Sequence, residues 1–226
     1  MADHLIPYVE FLGLPGSGKS YYSHKVAEKL RAEGYKIAEP SWELDHTCGK
    51  YSRALRKICM SWLFSLLNPI QTKRINRIIS QCGYKGGEFK RMSRNLLYKA
   101  YKLSGEKSEV LFFDEGLAQM ALSLVVGGDK HAKQVYFEID NALSIRRKRI
   151  LVRIDCSMDD ALQNMAKREK HDSRVEKMSD VNERISFLNR YQEECDSFNN
   201  LSYTCKYSPD SDRVVSEIVN YLKTEL

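Results

Sequence analysis

Apolar residues recur along this chain in two rhythms, short unbroken runs that suit buried strands and three- and four-residue spacings that suit helices, and the two alternate from end to end. YVEFL predicts a first strand over Tyr8 to Leu12, and Tyr22, Val26 and Leu30 then follow at helical spacing until Gly34 ends the helix. YKIAEPSW reads as a second strand ending near Glu39–Pro40. YSRALRKICMSWLFSLL, QTKRINRIISQ and EFKRMSRNLLYKAYKL predict three helices, separated by breaks at Asn68–Pro69 and Gly83–Gly87. EVLFFDEG is a third, buried strand that ends in two carboxylates. A short helix from about Leu117 to Val126 stops at Gly127–Gly128, HAKQVYFEIDNAL is another helix, and RILVRIDC is the fourth strand. Ser157 opens the next helix, with Asp160 giving a capping-box pattern. After a charged stretch from Lys167 to Lys177, Val181, Ile185, Leu188, Cys195 and Phe198 mark one face of a long helix. LSYTCKYS is the last strand, and Val214, Val215, Ile218, Val219 and Leu222 mark a terminal helix. Such alternation predicts an α/β fold, a mostly parallel sheet covered on both faces, with ligands at the carboxyl ends of its strands. At 226 residues the chain suits one domain, 1–226, with a helical lobe at about 47–107.

Straight out of the first strand runs GLPGSGKS, from Gly13 to Ser20, which fits G-x-x-x-x-G-K-[ST] at every position. It reads as a phosphate-binding loop. Gly13, Gly16 and Gly18 let backbone N–H groups curl around an anion, while Leu14, Pro15 and Ser17 complete the turn. Lys19 reaches the β and γ phosphates, and the Ser20 hydroxyl ligates Mg²⁺. The helix that follows aims its positive N-terminal end at the same phosphates. The implied ligands are ATP and Mg²⁺.

Charge changes the picture. Between Lys50 and Lys107 fourteen Lys or Arg stand against two acids, Glu88 and Glu106, so this segment carries +12 of a net +6 and the remainder is acidic. A block of this kind favours anionic partners. Its structural share is large, since most of these charges decorate the outer faces of helices. Arg53, Arg56 and Lys57 are the acceptor-contact candidates, and Trp62 and Phe64 are expected in the core. The N-terminus lacks the basic-then-apolar layout of a leader, and the longest apolar stretch, Ile58 to Leu67, is about half of what a membrane span needs. Six cysteines without C-x-x-C and five scattered histidines predict reduced thiols, no zinc site and a cytoplasmic protein.

The parallel-sheet rule brings three groups to one crevice: the phosphate loop, Glu39 after the second strand, and Asp114–Glu115 after the third. Asp114, at the end of a rigid apolar strand, is in the Walker-B arrangement and would take Mg²⁺ or its water. The alternative is a helix N-cap. Glu115 either supports that carboxylate or caps the next helix. Glu39 is either a solvated loop residue or the group that takes the proton of an attacking hydroxyl. Arg168 and Arg174, in KREKHDSRVEK, are either solvated charge or a lid over the transferring phosphate, a lid that spans about 167–177.

GLPGSGKS, the turn AEPSW, a strand ending in DEG, and RIDCSMDDALQNMAKREKHDSRVE followed by LNRYQEECDSF together resemble the thymidylate kinase and deoxynucleoside kinase group of P-loop kinases over most of the chain. The resemblance implies a P-loop NTPase fold with a five-stranded sheet in order 2-3-1-4-5. It implies an acceptor-binding or activating role for Glu39 with an aromatic near it, Trp42, and an arginine-bearing lid at Arg168 and Arg174. The departures are specific. Ala38 stands where thymidylate kinases carry an Arg before Glu–Pro, and Glu115 stands where they carry an Arg after Asp. Both arginines normally help hold substrate phosphates, so the resemblance implies the scaffold rather than a dedicated dTMP kinase.

The reading that results is a Mg²⁺-dependent kinase moving the γ-phosphoryl of ATP to a small, anionic acceptor, nucleotide-like or a phosphorylated metabolite. Its catalytic set is Lys19, Glu39, Asp114, Arg168 and Arg174, with Ser20 and Asp114 on the metal. The alternatives are a kinase of a nucleic-acid end or of a lipid-linked saccharide at a membrane surface, and a non-catalytic nucleotide switch. A homodimer is compatible with each.

Overall fold

The computed structural model describes residues 6–105, 109–126, 129–167, 175, 178 and 180–226. In chain order its elements are β1 (Tyr8–Gly13), α1 (Lys19–Ala32), β2 (Ile37–Ala38), α2 (Pro40–Thr47), α3 (Lys50–Leu67), α4 (Pro69–Gln81) and α5 (Gly86–Gly105). There follow β3 (Val110–Phe113), α6 (Leu117–Val125), α7 (Ala132–Leu143), β4 (Arg149–Asp155), α8 (Met158–Ala166), α9 (Val181–Asp196), β5 (Ser202–Lys206) and α10 (Ser211–Glu225). The strands form one parallel sheet in the order β2-β3-β1-β4-β5. This is the order the family resemblance implied.

The central strand β1 is buried along its whole length, because both faces of the sheet are covered. On one face Phe11, Val26, Phe112, Val152 and Ile218 pack beneath α1 and α10. On the other, Leu12, Phe113, Leu122, Ile139 and Phe198 pack beneath α6, α7 and α9. The lobe formed by α3, α4 and α5 joins this second core through Phe64, Ile75 and Leu96. No described helix is long and apolar enough to cross a membrane.

Local signals read from sequence recur as geometry. Gly34, at φ +97°, follows α1, and the Ser157 hydroxyl accepts from the Asp160 amide at 3.1 Å to start α8. Two expectations are corrected. The second strand is only Ile37–Ala38, because Pro40 enters helix α2 at its first turn and Glu43 accepts from the Glu39 amide at 3.1 Å, so PSWELDHT coils rather than extends. On α9 the inward face is Leu188, Tyr191 and Cys195, whereas Val181 and Ile185 are exposed in the first turns of the helix.

Candidate active site

The phosphate-loop sequence forms a tight curl between β1 and α1. Gly16 and Gly18 adopt φ of +90° and +83°, and the Ser17 amide donates to the Leu14 carbonyl at 3.1 Å. The loop is backed by α8: the Asn164 side-chain amide donates to the Gly16 carbonyl at 3.1 Å, and a Cβ on Gly16 would lie 2.3 Å from the Ala161 carbonyl oxygen. Glycine is therefore required there twice over, for its left-handed backbone and for the approach of α8. Gly16→Ala is expected to lower stability by about 1–3 kcal/mol, from backbone strain and the approach of α8, and to weaken ATP binding as the loop shifts to relieve it. Calorimetric titration alongside a thermal melt checks it. Lys19 is buried, and its Nζ donates to the carbonyls of Gly13 at 3.1 Å and Leu14 at 2.8 Å.

Because β1 and β3 are parallel neighbours, their carboxyl ends deliver loop and carboxylate side by side. Ser20 Oγ donates to Asp114 Oδ2 at 2.6 Å, and this pair is exposed. Two hard oxygen donors in contact beside the phosphate loop fit the ligand chemistry of Mg²⁺. Glu115 is not a helix cap. Its side chain lines the cavity described below, while its backbone carbonyl accepts from Lys99 Nζ, whose ammonium also lies 5.8 Å from the centre of the Phe113 ring.

The group that caps α6 comes instead from β1. Glu10, fully buried, accepts from the Gln119 amide at 2.9 Å with Oε1, while its Oε2 has no hydrogen-bond partner among the described residues. Gly116 at the start of that helix has no side chain to cap with, and a Cβ there would lie 2.3 Å from the Glu10 carboxyl carbon. Burial pushes the Glu10 carboxyl up to about 7, against the lowering effect of the α6 amides and Lys99. Gln119 then ties the site together: its side chain exchanges contacts with both backbone groups of Gly13 at 3.4 Å and donates to the Tyr191 hydroxyl of α9 at 2.5 Å.

Glu39 is placed differently from the crevice position expected of it. Its carboxylate turns to α1, where Arg31 donates at 2.7 Å and His24 Nδ1 lies at 3.1 Å, and it does not line the cavity beside the loop. Burial raises its pKa despite the opposing effects of Arg31 and His24. Trp42, the aromatic expected near it, stacks between His24 and His46 with ring centres 3.8 Å apart on each side. Both residues thus pin α2 to α1.

A cavity of about 830 Å³ opens from the phosphate loop. It is lined by Gly16, Lys19 and Ser20, by Tyr21, Tyr207 and Pro209, and by Arg91, Asn95, Gln119, Met120 and Phe187. Of the basic segment, Arg91 lines this space, whereas Arg53, Arg56 and Lys57 do not. Arg53 pairs with Asp45 at 3.0 Å, and Lys57 lies 5.6 Å over the Tyr98 ring, its pKa lowered by burial. Phe64 is buried as expected, but Trp62 is 65% exposed. Sequence reading missed Glu10, Arg91, Gln119 and Asn164. Only Arg91 carried a signal there, as one of fourteen basic residues. Arg168 and Arg174 lie outside the described residues.

Among solved structures, the fold is similar over nearly the whole chain to a deoxyadenosine kinase from M. mycoides with products dCMP and a flexible dCDP bound. The TM-score is 0.58 at 18% identity, covering 97% of this chain and 100% of that one. It is also similar to a shikimate kinase from Acinetobacter baumannii in complex with shikimate, with a TM-score of 0.50 at 14% identity, covering 99% of this chain and 97% of that one. No protein-family model matches the chain, and no curated protein sequence does. At these identities the likeness is one of fold, and the fold is that of the P-loop kinases.

Proposed function

We propose that the chain is an ATP- and Mg²⁺-dependent kinase that moves the γ-phosphoryl group to a small, anionic acceptor, nucleotide- or nucleoside-like or a phosphorylated metabolite. The observation that carries this reading is the 2.6 Å contact of Ser20 with Asp114, where Ser20 and Lys19 line a cavity large enough for a nucleotide and a second small molecule. In the reaction the bond from the γ-phosphorus to the bridging oxygen of ADP breaks, a bond to an acceptor oxygen forms, and the proton of an acceptor hydroxyl passes to solvent.

Each residue then has a task. The amides of the Gly13–Ser20 loop and the Lys19 ammonium bind the phosphates and hold the transferring group in line. Ser20 and Asp114 would hold Mg²⁺, which when bound neutralises charge on the β- and γ-phosphate oxygens. Aromatic and apolar surface at Tyr21, Tyr207 and Pro209 suits a base, and Arg91, which lines the same cavity, suits an anionic acceptor. Arg168 and Arg174 enter on the sequence alone, as lid charges that stabilise the transferring phosphate. The deoxyadenosine and shikimate kinases that share the fold hold small molecules in their structures, dCMP and dCDP in one and shikimate in the other, which supports this choice over a nucleic-acid end or a lipid-linked saccharide.

Glu39 is assigned a positioning role, since its carboxylate already serves Arg31 and His24. Glu39→Gln is expected to lower stability by about 1–3 kcal/mol, as loss of hydrogen bonds to a charged group does, with kcat nearly unchanged. A base at this position would instead cost about 10²–10⁴ in kcat. Urea unfolding and steady-state rates on the same sample separate the two.

The metal assignment is tested by calorimetric titration of a non-hydrolysable ATP analogue with and without Mg²⁺. Mg²⁺ is expected to tighten binding to the wild-type chain and to lose most of that effect in Ser20→Ala. No binding to the wild-type chain in either condition would overturn the proposal.

A further inference from the structure

The described residues expose large hydrophobic side chains mainly in one place, the outer face of α3. Tyr51, Leu55, Ile58, Trp62 and Leu66 follow one another at steps of three and four along this face, and Tyr51 is 90% exposed. The inner face packs on α5 and is anchored by buried Ser61 and Phe64. With Leu63 and Leu67 beside them, the outward side chains present on the order of 800 Å², above the roughly 300–600 Å² of the largest patch on a typical monomer. A patch of that size marks an interaction surface.

Charge identifies what covers it. Neither α3 nor α4 contains an Asp or a Glu. Arg56 flanks the apolar stripe and is exposed. Across the Asn68–Pro69 turn, Lys73, Arg74 and Arg77 stand with Ile70 on the exposed side of α4, opposite buried Ile75, Ile78 and Ile79. No ion pair engages any of these four cations among the described residues. A second copy laid on this surface would set positive charge against positive charge with no carboxylate to meet it, a juxtaposition that disfavours pairing. A bilayer with anionic headgroups over an apolar interior matches both parts of the pattern. Arginine and lysine stems lie along apolar surface and carry their charges out to the headgroups, and Trp and Tyr are the side chains that settle at that level. Arg53 and Lys57 take no part, since they turn inward to Asp45 and Tyr98.

We propose that the chain docks on anionic lipid bilayers through α3, which lies in the plane of the headgroups. Leu55, Ile58, Trp62 and Leu66 reach the acyl boundary, and Arg56, Lys73, Arg74 and Arg77 sit among the lipid phosphates and carboxylates. This inference is independent of the phosphotransfer reading, because it makes the bilayer a place of attachment and not a source of the acceptor.

The test is co-sedimentation of the full chain with phosphatidylcholine vesicles, with and without phosphatidylserine, alongside sedimentation velocity of the chain alone. Binding is expected only where phosphatidylserine is present, and it should weaken as salt is raised. The partition constant should fall at least about 100-fold in Leu55→Glu/Trp62→Glu, which loses apolar area and adds negative charge, and about 10- to 100-fold in Lys73→Ala/Arg74→Ala/Arg77→Ala. All five positions are exposed, so circular dichroism should show an unchanged fold. No binding to either vesicle, binding indifferent to phosphatidylserine, binding that survives both variants, or a dimer of the chain alone that Leu55→Glu/Trp62→Glu dissociates would each overturn the proposal.

Discussion

Asp114→Asn is expected to bind ATP within a few-fold of the wild-type chain and to transfer its γ-phosphoryl about 10²–10³-fold more slowly. Binding survives because the loop amides and Lys19 make the phosphate contacts, and neither rests on the Asp114 charge. Transfer fails because the variant keeps the shape of the side chain and its contact with Ser20 Oγ, 2.6 Å away in the native site, but gives up the negative charge that holds Mg²⁺ at the phosphates. A helix-capping role for Asp114 makes the opposite forecast, full activity with some loss of stability. Rapid-quench measurement of transfer, alongside calorimetric ATP binding, distinguishes the two.

A pH dependence of stability that belongs to Glu10 is the second large effect. Its carboxyl is raised to about 7 in the folded chain, so folding takes up a proton between the ordinary carboxyl range and neutrality. The sign follows from linkage. A carboxyl that holds its proton more tightly when folded contributes its stability fully at acid pH, and that contribution declines as pH rises from about 4.5 through about 7, by about 3 kcal/mol in all. Oε2 supplies the physical reason: it is buried without a hydrogen-bond partner among the described residues, a state that a protonated oxygen tolerates better than a charged one. Glu10→Gln keeps an acceptor for the Gln119 amide and removes the ionisation. Urea-unfolding curves at pH 5 and pH 8 should show the wild-type chain losing more stability over that interval than the variant. Parallel behaviour of the two proteins would mean that Glu10 is not the titrating group.

The parts of this architecture that depend on near neighbours in sequence were legible in it. The phosphate loop, the Ser157 cap, the Gly34 stop and the three lobe helices rest on residues within a turn or two of each other, and Asp114 could be placed because parallel strands end together. What escaped depends on residues far apart. Helix α6 is capped by Glu10 from a strand more than a hundred residues earlier, and α7 by Glu194, which accepts from the Ala132 amide at 2.6 Å from α9. No spacing rule links such pairs. Trp62 shows the converse limit: an aromatic in an amphipathic helix reads as core, but α3 has two apolar faces and, among the described residues, one of them packs on the chain while the face of Trp62 is exposed. Glu39 was read from its place after β2, and the direction of its side chain was decided by Arg31 and His24 on the neighbouring helix.

The central claim is phosphoryl transfer, and incubation of the chain with γ-labelled ATP, Mg²⁺ and a pooled panel of nucleosides, nucleoside monophosphates, sugars, phosphosugars and short oligonucleotides tests it most directly. A labelled small-molecule product, identified by mass and absent with Asp114→Asn, is the expected result. Label that stays on ATP or appears only as inorganic phosphate, with every acceptor in the pool unchanged, would contradict it.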